Sequence, residues 1–250
     1  MKKTIILLLI FLAAIHVAMA QTNEVMWRTE IKGGVTSSRV DRSFFLVDGG
    51  PVYFTETIGG VSGDNQTDHA QRLRYGYTYG AEACYYFNQD DGEGIHIGVG
   101  VRIRNTHSSH KTSITIIDTE GDEITGRLED NINVLFINPI VSSKFSLFGN
   151  RNTFFFNFSP FGLASYTNNA VLLNRYTLSK NTRSLILEMI YDWTIHKNVG
   201  IGATFSFNAC SYDNYTKTDS SGYKEIVNLN EGVREGLAHI AITASVSCCF

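Results

Sequence analysis

His107 and Ser109 are the pair in this chain whose types and spacing could do covalent chemistry. They stand one residue apart in Asn105-Thr106-His107-Ser108-Ser109-His110. On a strand they would share a face, because side chains alternate with a period of two. An imidazole beside a hydroxyl is the base and nucleophile of acyl transfer, and an acid must orient the imidazole. Glu120 or Asp122 would supply it if the chain folds back over the intervening segment. The other reactive side chains are Cys84, Cys210, Cys248 and Cys249. The hydropathy pattern places Cys84, Cys210 and Cys249 on strands that are not neighbours, and Cys248 on the opposite face. Bridged Cα atoms must lie within about 7 Å, so the four are expected to be unpaired. No CxxC is present, and neither a metal nor a cofactor is expected.

What these residues can do depends on the elements that carry them, and those elements are strands. From Leu73, the odd positions read Leu, Tyr, Tyr, Tyr, Ala, Ala, Tyr, Phe, and the even positions carry Arg74, Gly76, Thr78, Gly80, Glu82 and Cys84. Ile95, Ile97, Val99, Val101 and Ile103 likewise oppose His96, Gly98, Gly100, Arg102 and Arg104. Similar alternation marks segments near 27–35, 133–148, 154–159, 185–195 and 199–210, and Phe136 interrupts the polar row of the fourth strand. In the last segment Ala238, Ile240, Ile242, Ala244, Val246, Cys248 and Phe250 form one face. That makes eight strands of about the length that crosses a bilayer at a tilt.

The connections agree with this count. Gaps at 88–94, 149–152 and 196–198 are short and rich in Gly, Asn and Asp. Gaps at roughly 37–70, 106–130, 167–184 and 212–234 are long and polar. Alternating long and short connections predict an up-and-down antiparallel barrel with long extracellular loops and short periplasmic turns. In the first long gap, Phe44-Phe45-Leu46-Val47 and Val52-Tyr53-Phe54 flank Asp48-Gly49-Gly50-Pro51. Residues 42–58 therefore read as an extracellular hairpin, or else as two further strands of a ten-stranded ring.

The N-terminus reads as a cleavable export signal over residues 1–20. Lys2 and Lys3 precede an apolar run over 5–15, and Ala18-Met19-Ala20 ends it. Removing the two lysines takes the formal net charge from -3 to -5, leaving an acidic barrel domain over 21–250. Without basic clusters, nucleic-acid binding is not expected. With 22 Gly, 3 Pro and an aromatic fraction of 12%, the composition suits long paired strands.

Alternation, loop asymmetry and the terminal Phe250 together resemble the small outer-membrane β-barrel family of OmpA and OmpX, in the form common in Bacteroidota. The resemblance implies an outer-membrane monomer with both termini in the periplasm. It also implies that the barrel-insertion machinery reads Phe250, and that lipid and lipopolysaccharide surround the wall. With the strands running to Phe250, no cell-wall tether is expected.

An eight-stranded barrel is just wide enough to be filled by its own side chains. Arg28, Glu30, Lys32, Arg74, Glu82, His96, Arg102, Arg104, Lys144, Glu188, Asp192 and His239 are assigned to the lumen. Both signs are present, so a structural ion-pair network is expected. The function that follows is non-enzymatic: loops displayed for envelope integrity or adhesion, with an extracellular protein or glycan as partner. One alternative is a narrow ion path through the charged lumen. The other is a hydrolase, because outer-membrane lipid A deacylases resemble this chain in their His-x-Ser with a following acid. Their motif lies near the C-terminal strands, whereas His107, Ser109 and Glu120 lie mid-chain.

Overall fold

The computed structural model describes residues 26–40, 74–87, 95–117, 123–147, 151–172, 174–196, 198–228 and 235–250. The expected export signal at 1–20, the segment 42–58, Glu120 and Asp122 lie outside them. The described chain is all β. Its strands are β1 (Met26–Val40), β2 (Arg74–Tyr86), β3 (Ile95–Ile117), β4 (Glu123–Leu147), β5 (Asn152–Leu172), β6 (Asn174–His196), β7 (Val199–Tyr212), β8 (Asn214–Thr218), β9 (Lys224–Asn228) and β10 (Glu235–Cys249).

Eight of these strands close a ring. Each of β1 to β6 pairs antiparallel with the next, β7 pairs with β10, and β10 pairs with β1. At the seam, the Trp27 and Phe250 backbones exchange hydrogen bonds of 2.6 and 3.0 Å. β1 and β2 pair directly from Met26↔Tyr86 to Ser38↔Arg74, so the described ring closes with eight strands and not ten.

Alternation sets the wall. Even residues of β1 to β4 and β6 point inward, as do odd residues of β10. The outer face carries Ile31, Val35, Val99, Val101, Leu187, Met189, Phe205, Ile240, Ile242 and Val246, all well exposed. Aromatic residues rim this band. Trp27, Tyr85 and Phe87 form one chain of ring contacts at the short-turn end, and Phe145, Phe154 and Tyr191 form another. At the opposite rim Tyr77 stacks on Tyr79. Apolar flanks between two aromatic girdles are the outer surface of a barrel that sits in lipid.

Two of the four long polar gaps are not loops. The segments expected to be irregular at 106–130 and 167–184 continue as ladder, with pairing up to Ile117↔Glu123 in β3–β4 and Leu172↔Asn174 in β5–β6. At about 3.3 Å per residue and a tilt of about 40°, the 25 residues of β4 span about 60 Å, against an apolar band of about 25 Å. The polar composition of these segments reflects water outside them, and it does not break their pairing. In the last long gap, β8 pairs with upper β6 and β9 pairs with β8. Asp219 caps the β8–β9 turn by accepting bonds from the Ser221 hydroxyl and from the Ser221 and Tyr223 amides. These donors, the Ser221 hydroxyl foremost, hold its carboxyl below the usual range. Gly222 takes a φ of 87°, a left-handed conformation that favours glycine.

One strand changes phase midway. Register shifts at Ile137/Val141 and at Ser159/Gly162 mark a bulge at Pro160-Phe161 of β5. Below it Phe155, Asn157 and Ser159 are buried, and above it Ala164, Tyr166 and Asn168 are. Pro160 has no N–H to give the ladder, and bulges take up such residues. The Ser159 hydroxyl spans the bulge by donating to the Phe161 carbonyl at 3.1 Å.

Candidate functional site

Three groups of side chains fill the lumen. At the short-turn end Cys84, Tyr86, Ile140, Phe155 and Ile190 form an apolar cluster. At the long-strand end a second cluster includes Ile132, Val134, Phe136, Tyr166, Leu178 and Tyr212, and Tyr215 and Val227 of the β8–β9 hairpin fold onto it. Glycines facing large neighbours make this filling possible. A Cβ on Gly98 would lie 2.8 Å from the Tyr86 ring and 2.6 Å from the Tyr85 carbonyl oxygen.

Four cations and four carboxylates, all buried, fill the lumen from the level of the lower cluster upward, Arg28 in register with Cys84 and Asp192 one inward step below Ile190: Arg28, Lys32, Arg102 and Arg104 with Glu30, Glu82, Glu188 and Asp192. Arg28 reaches Glu82 at 2.8 Å, Glu30 at 3.0 Å and Asp192 at 3.2 Å. Lys32 reaches Glu82 at 2.7 Å, and Glu30 and Glu188 at 3.1 Å. Glu188 also takes Arg104 at 2.7 Å and Arg102 at 3.5 Å. The eight groups therefore form one connected, charge-balanced network. Neutral residues extend it: the Asn157 amide donates to both Glu82 and Glu188, Ser247 donates to Asp192, and Arg102 donates to Asn208. The Arg28 guanidinium lies 4.1 Å from the Phe155 ring centroid, where the charged layer meets the lower apolar one.

The other lumen candidates sit elsewhere. His239 is buried with its ring edge-on to Phe136, at the top of the charged layer. His96 and Lys144 face each other across β3–β4 and are half-buried at the short-turn rim, where water still reaches the last inward positions. Arg74 lies at the opposite rim, level with Ser38. Sequence reasoning missed Asn157 and Asn208 as network members, and missed the inward Phe155, Ile186 and Ile190. Both asparagines carried a signal, since each stands on the polar side of its strand.

The cysteine expectation needs one correction of reasoning. β7 and β10 are neighbours, but Cys210 pairs with Leu237 near the long-strand end and Cys249 lies at the other end. Cys84 and Cys249 both stand beside Arg28, one on each side of β1, so they are two strand spacings apart. That is about 10 Å, beyond bridging distance. All four thiols are free.

His107 and Ser109 do share the outer face of β3, just above the apolar band. His107 packs on Tyr77 with ring centroids 4.9 Å apart. Its register neighbours are Tyr77 and Asn133, and those of Ser109 are Tyr75 and Asn131. Glu129 lies one step further along the same face, where Lys111 pairs with it at 3.3 Å. Among the described residues, those flanking His107 across the ladder thus bring it aromatic and amide groups and no carboxylate. Planar-bilayer recording should give no unitary conductance, because buried side chains of the charge network and of the two apolar clusters fill the lumen. A resolved single-channel step would show that this filling opens.

No protein-family model matches the chain, and no curated protein does. Among solved structures, the outer membrane protease OmpT from Escherichia coli is similar over 92% of this chain and 98% of its own, at 10% identity and a TM-score of 0.50. Neisserial surface protein A is similar over 90% and 97%, at 10% identity and a TM-score of 0.44. Ail, the attachment invasion locus protein of Yersinia pestis, is similar over 88% and 97%, at 12% identity and a TM-score of 0.39. The closed antiparallel ring with an apolar outer face is the fold this chain shares with small outer-membrane β-barrel proteins.

Proposed function

We propose that this chain is a plugged outer-membrane barrel whose work is done above the membrane, by the strand wall it displays there for adhesion or envelope integrity. The observation that carries this is the mismatch between strand length and apolar band. The outer face of β3 changes from Ile103 to Asn105, His107, Ser109 and Lys111 while its pairing with β4 continues unbroken. On β6 the outer face above Leu185 reads Arg183, Asn181, Ser179 and Thr177. A lumen filled by ion pairs supports a scaffold role, whereas the projecting ribbons have a polar outer face and a register that holds it rigid. On this reading the termini lie on the periplasmic side, and Phe250, hydrogen-bonded to Trp27 at the seam, also serves in insertion.

The test is to shorten the β3–β4 and β5–β6 ribbons to the level of Asn105 and Ser165, close each with a tight Asn-Gly turn, and compare cells that make either form. The expected result is a barrel that still migrates faster unboiled than boiled in SDS, because its ring has no open edge, but confers no surface attachment or envelope resistance. Undiminished attachment and resistance would sink the proposal. For the hydrolase alternative, Ser109→Ala should leave the lipid A mass spectrum identical to that of the unaltered barrel. A mass difference of one acyl chain between the two would restore the His107–Ser109 pair as a catalytic site.

A further inference from the structure

The described ladder of the projecting wall is interrupted beside β6. On the side of β6 away from β5, β7 pairs as far as Arg183↔Ser211 and β8 begins only at Ser179↔Thr216. Between them three residues of β6, Lys180, Asn181 and Thr182, stand against four, Tyr212 to Tyr215, so one extra residue interrupts the backbone ladder, and Lys180 and Thr182 reach across it by side-chain bonds to Asn214 and the Ser211 carbonyl. A cleft of about 430 Å³ opens at this break, across β5, β6, β8 and β9. That volume falls within the range of small-ligand sites.

The chemistry of the lining is narrow. Ser165, Thr167, Ser179, Asn181 and Thr216 supply hydroxyls and a carboxamide, each able to donate and accept. Ile226, 70% exposed, offers an apolar edge beside them. The cleft's cation is Lys180, and it is already engaged: its Nζ donates to the Asn214 side chain and lies 3.9 Å from an Asp213 carboxylate oxygen. A phosphate or sulfate group would call for uncompensated cations or a bidentate arginine. An added peptide strand would need a longer run of open backbone than three residues. A neutral sugar needs what is present, namely paired donors and acceptors for its hydroxyls and an apolar contact for its C–H face.

We infer that this cleft binds a neutral glycan. The inference deepens the display role proposed above and rests on it. The probe is an array of neutral hexose and N-acetylhexosamine oligosaccharides with sulfated counterparts, read by the full barrel in phosphatidylcholine nanodiscs. Delipidated polysaccharide from the producing strain serves as competitor. Neutral members should bind, sulfated ones no more strongly, and Asn181→Ala with Thr216→Val should weaken binding at least tenfold while the heat-dependent gel shift persists. If that double variant loses the shift, Ser179→Ala takes its place, with several-fold weakening expected. Competition by the strain's own polysaccharide would place the glycan on neighbouring lipopolysaccharide, and no competition would place it on an opposing surface. Either outcome supports binding in the cleft. No neutral glycan bound, binding unchanged in the variants, or stronger binding of sulfated members that is lost in Lys180→Gln would each overturn the inference. If shortened ribbons abolish attachment while the cleft variants bind as before, the cleft assignment fails and the display role stands.

Discussion

Glu188→Ala should destabilise the barrel by about 3–5 kcal/mol, the cost of leaving buried charges without their partner. Glu188 is the carboxylate on which three cations converge: Arg104 at 2.7 Å, Lys32 at 3.1 Å and Arg102 at 3.5 Å. Lys32 keeps Glu30 and Glu82 when Glu188 is removed. Arg102 and Arg104 keep no carboxylate within ion-pair distance among the described residues, and both are fully buried. Glu30→Ala provides the control. Its partners are Arg28 and Lys32, and each retains two other carboxylates. Its cost should therefore be the smaller by at least 1 kcal/mol, or about a factor of five in the folding equilibrium. Urea unfolding of barrels refolded into phosphatidylcholine vesicles measures both. Equal losses for the two variants would mean that the charges share their partners more widely than these distances show.

That network also marks how far the sequence could be read. Strand number, ring closure and the inward parity of Arg28, Glu82, Arg102 and Glu188 follow from a two-residue period, because one face must meet lipid and the other the lumen. The extent of the strands does not follow. Asn105 to Asp130 reads as loop by composition, yet two ribbons that project into water need polar residues on their outer faces and remain strands. The layering of the lumen is hidden for a different reason. Phe136, Phe155 and Ile190 lie in positions where periodicity assigns polar residues, and only the radius of the barrel forces large side chains into its two ends. Pro160 stands just beyond the alternating segment at 154–159, and the phase change at the Pro160-Phe161 bulge of β5 depends on the register of both neighbours. The cleft lies beyond sequence reasoning altogether. It depends on where β7 stops pairing with β6 and β8 starts, and no residue type marks that break.

Ile242→Arg and Ile226→Arg should separate by several kcal/mol although the two positions are almost equally exposed, at 61% and 70%. Ile242 stands midway along β10, opposite Val35 on one side and Phe205 on the other, both themselves well exposed. At that depth an arginine on the outer face costs about 2–4 kcal/mol, since lipid cannot solvate it and the side chain is far from either interface. Ile226 lies in β9, beside a ladder of hydroxyl side chains well above the apolar band. An arginine there meets water, and its effect should stay within about 0.5 kcal/mol. Burial does not separate the two sites, so only the surrounding solvent can. The same vesicle unfolding assay reads the difference directly. Two small and equal effects would mean that the apolar face of this barrel is covered by something other than a bilayer, while a large loss at Ile242 alone would place the membrane at the level of Val35, Phe205 and Ile242.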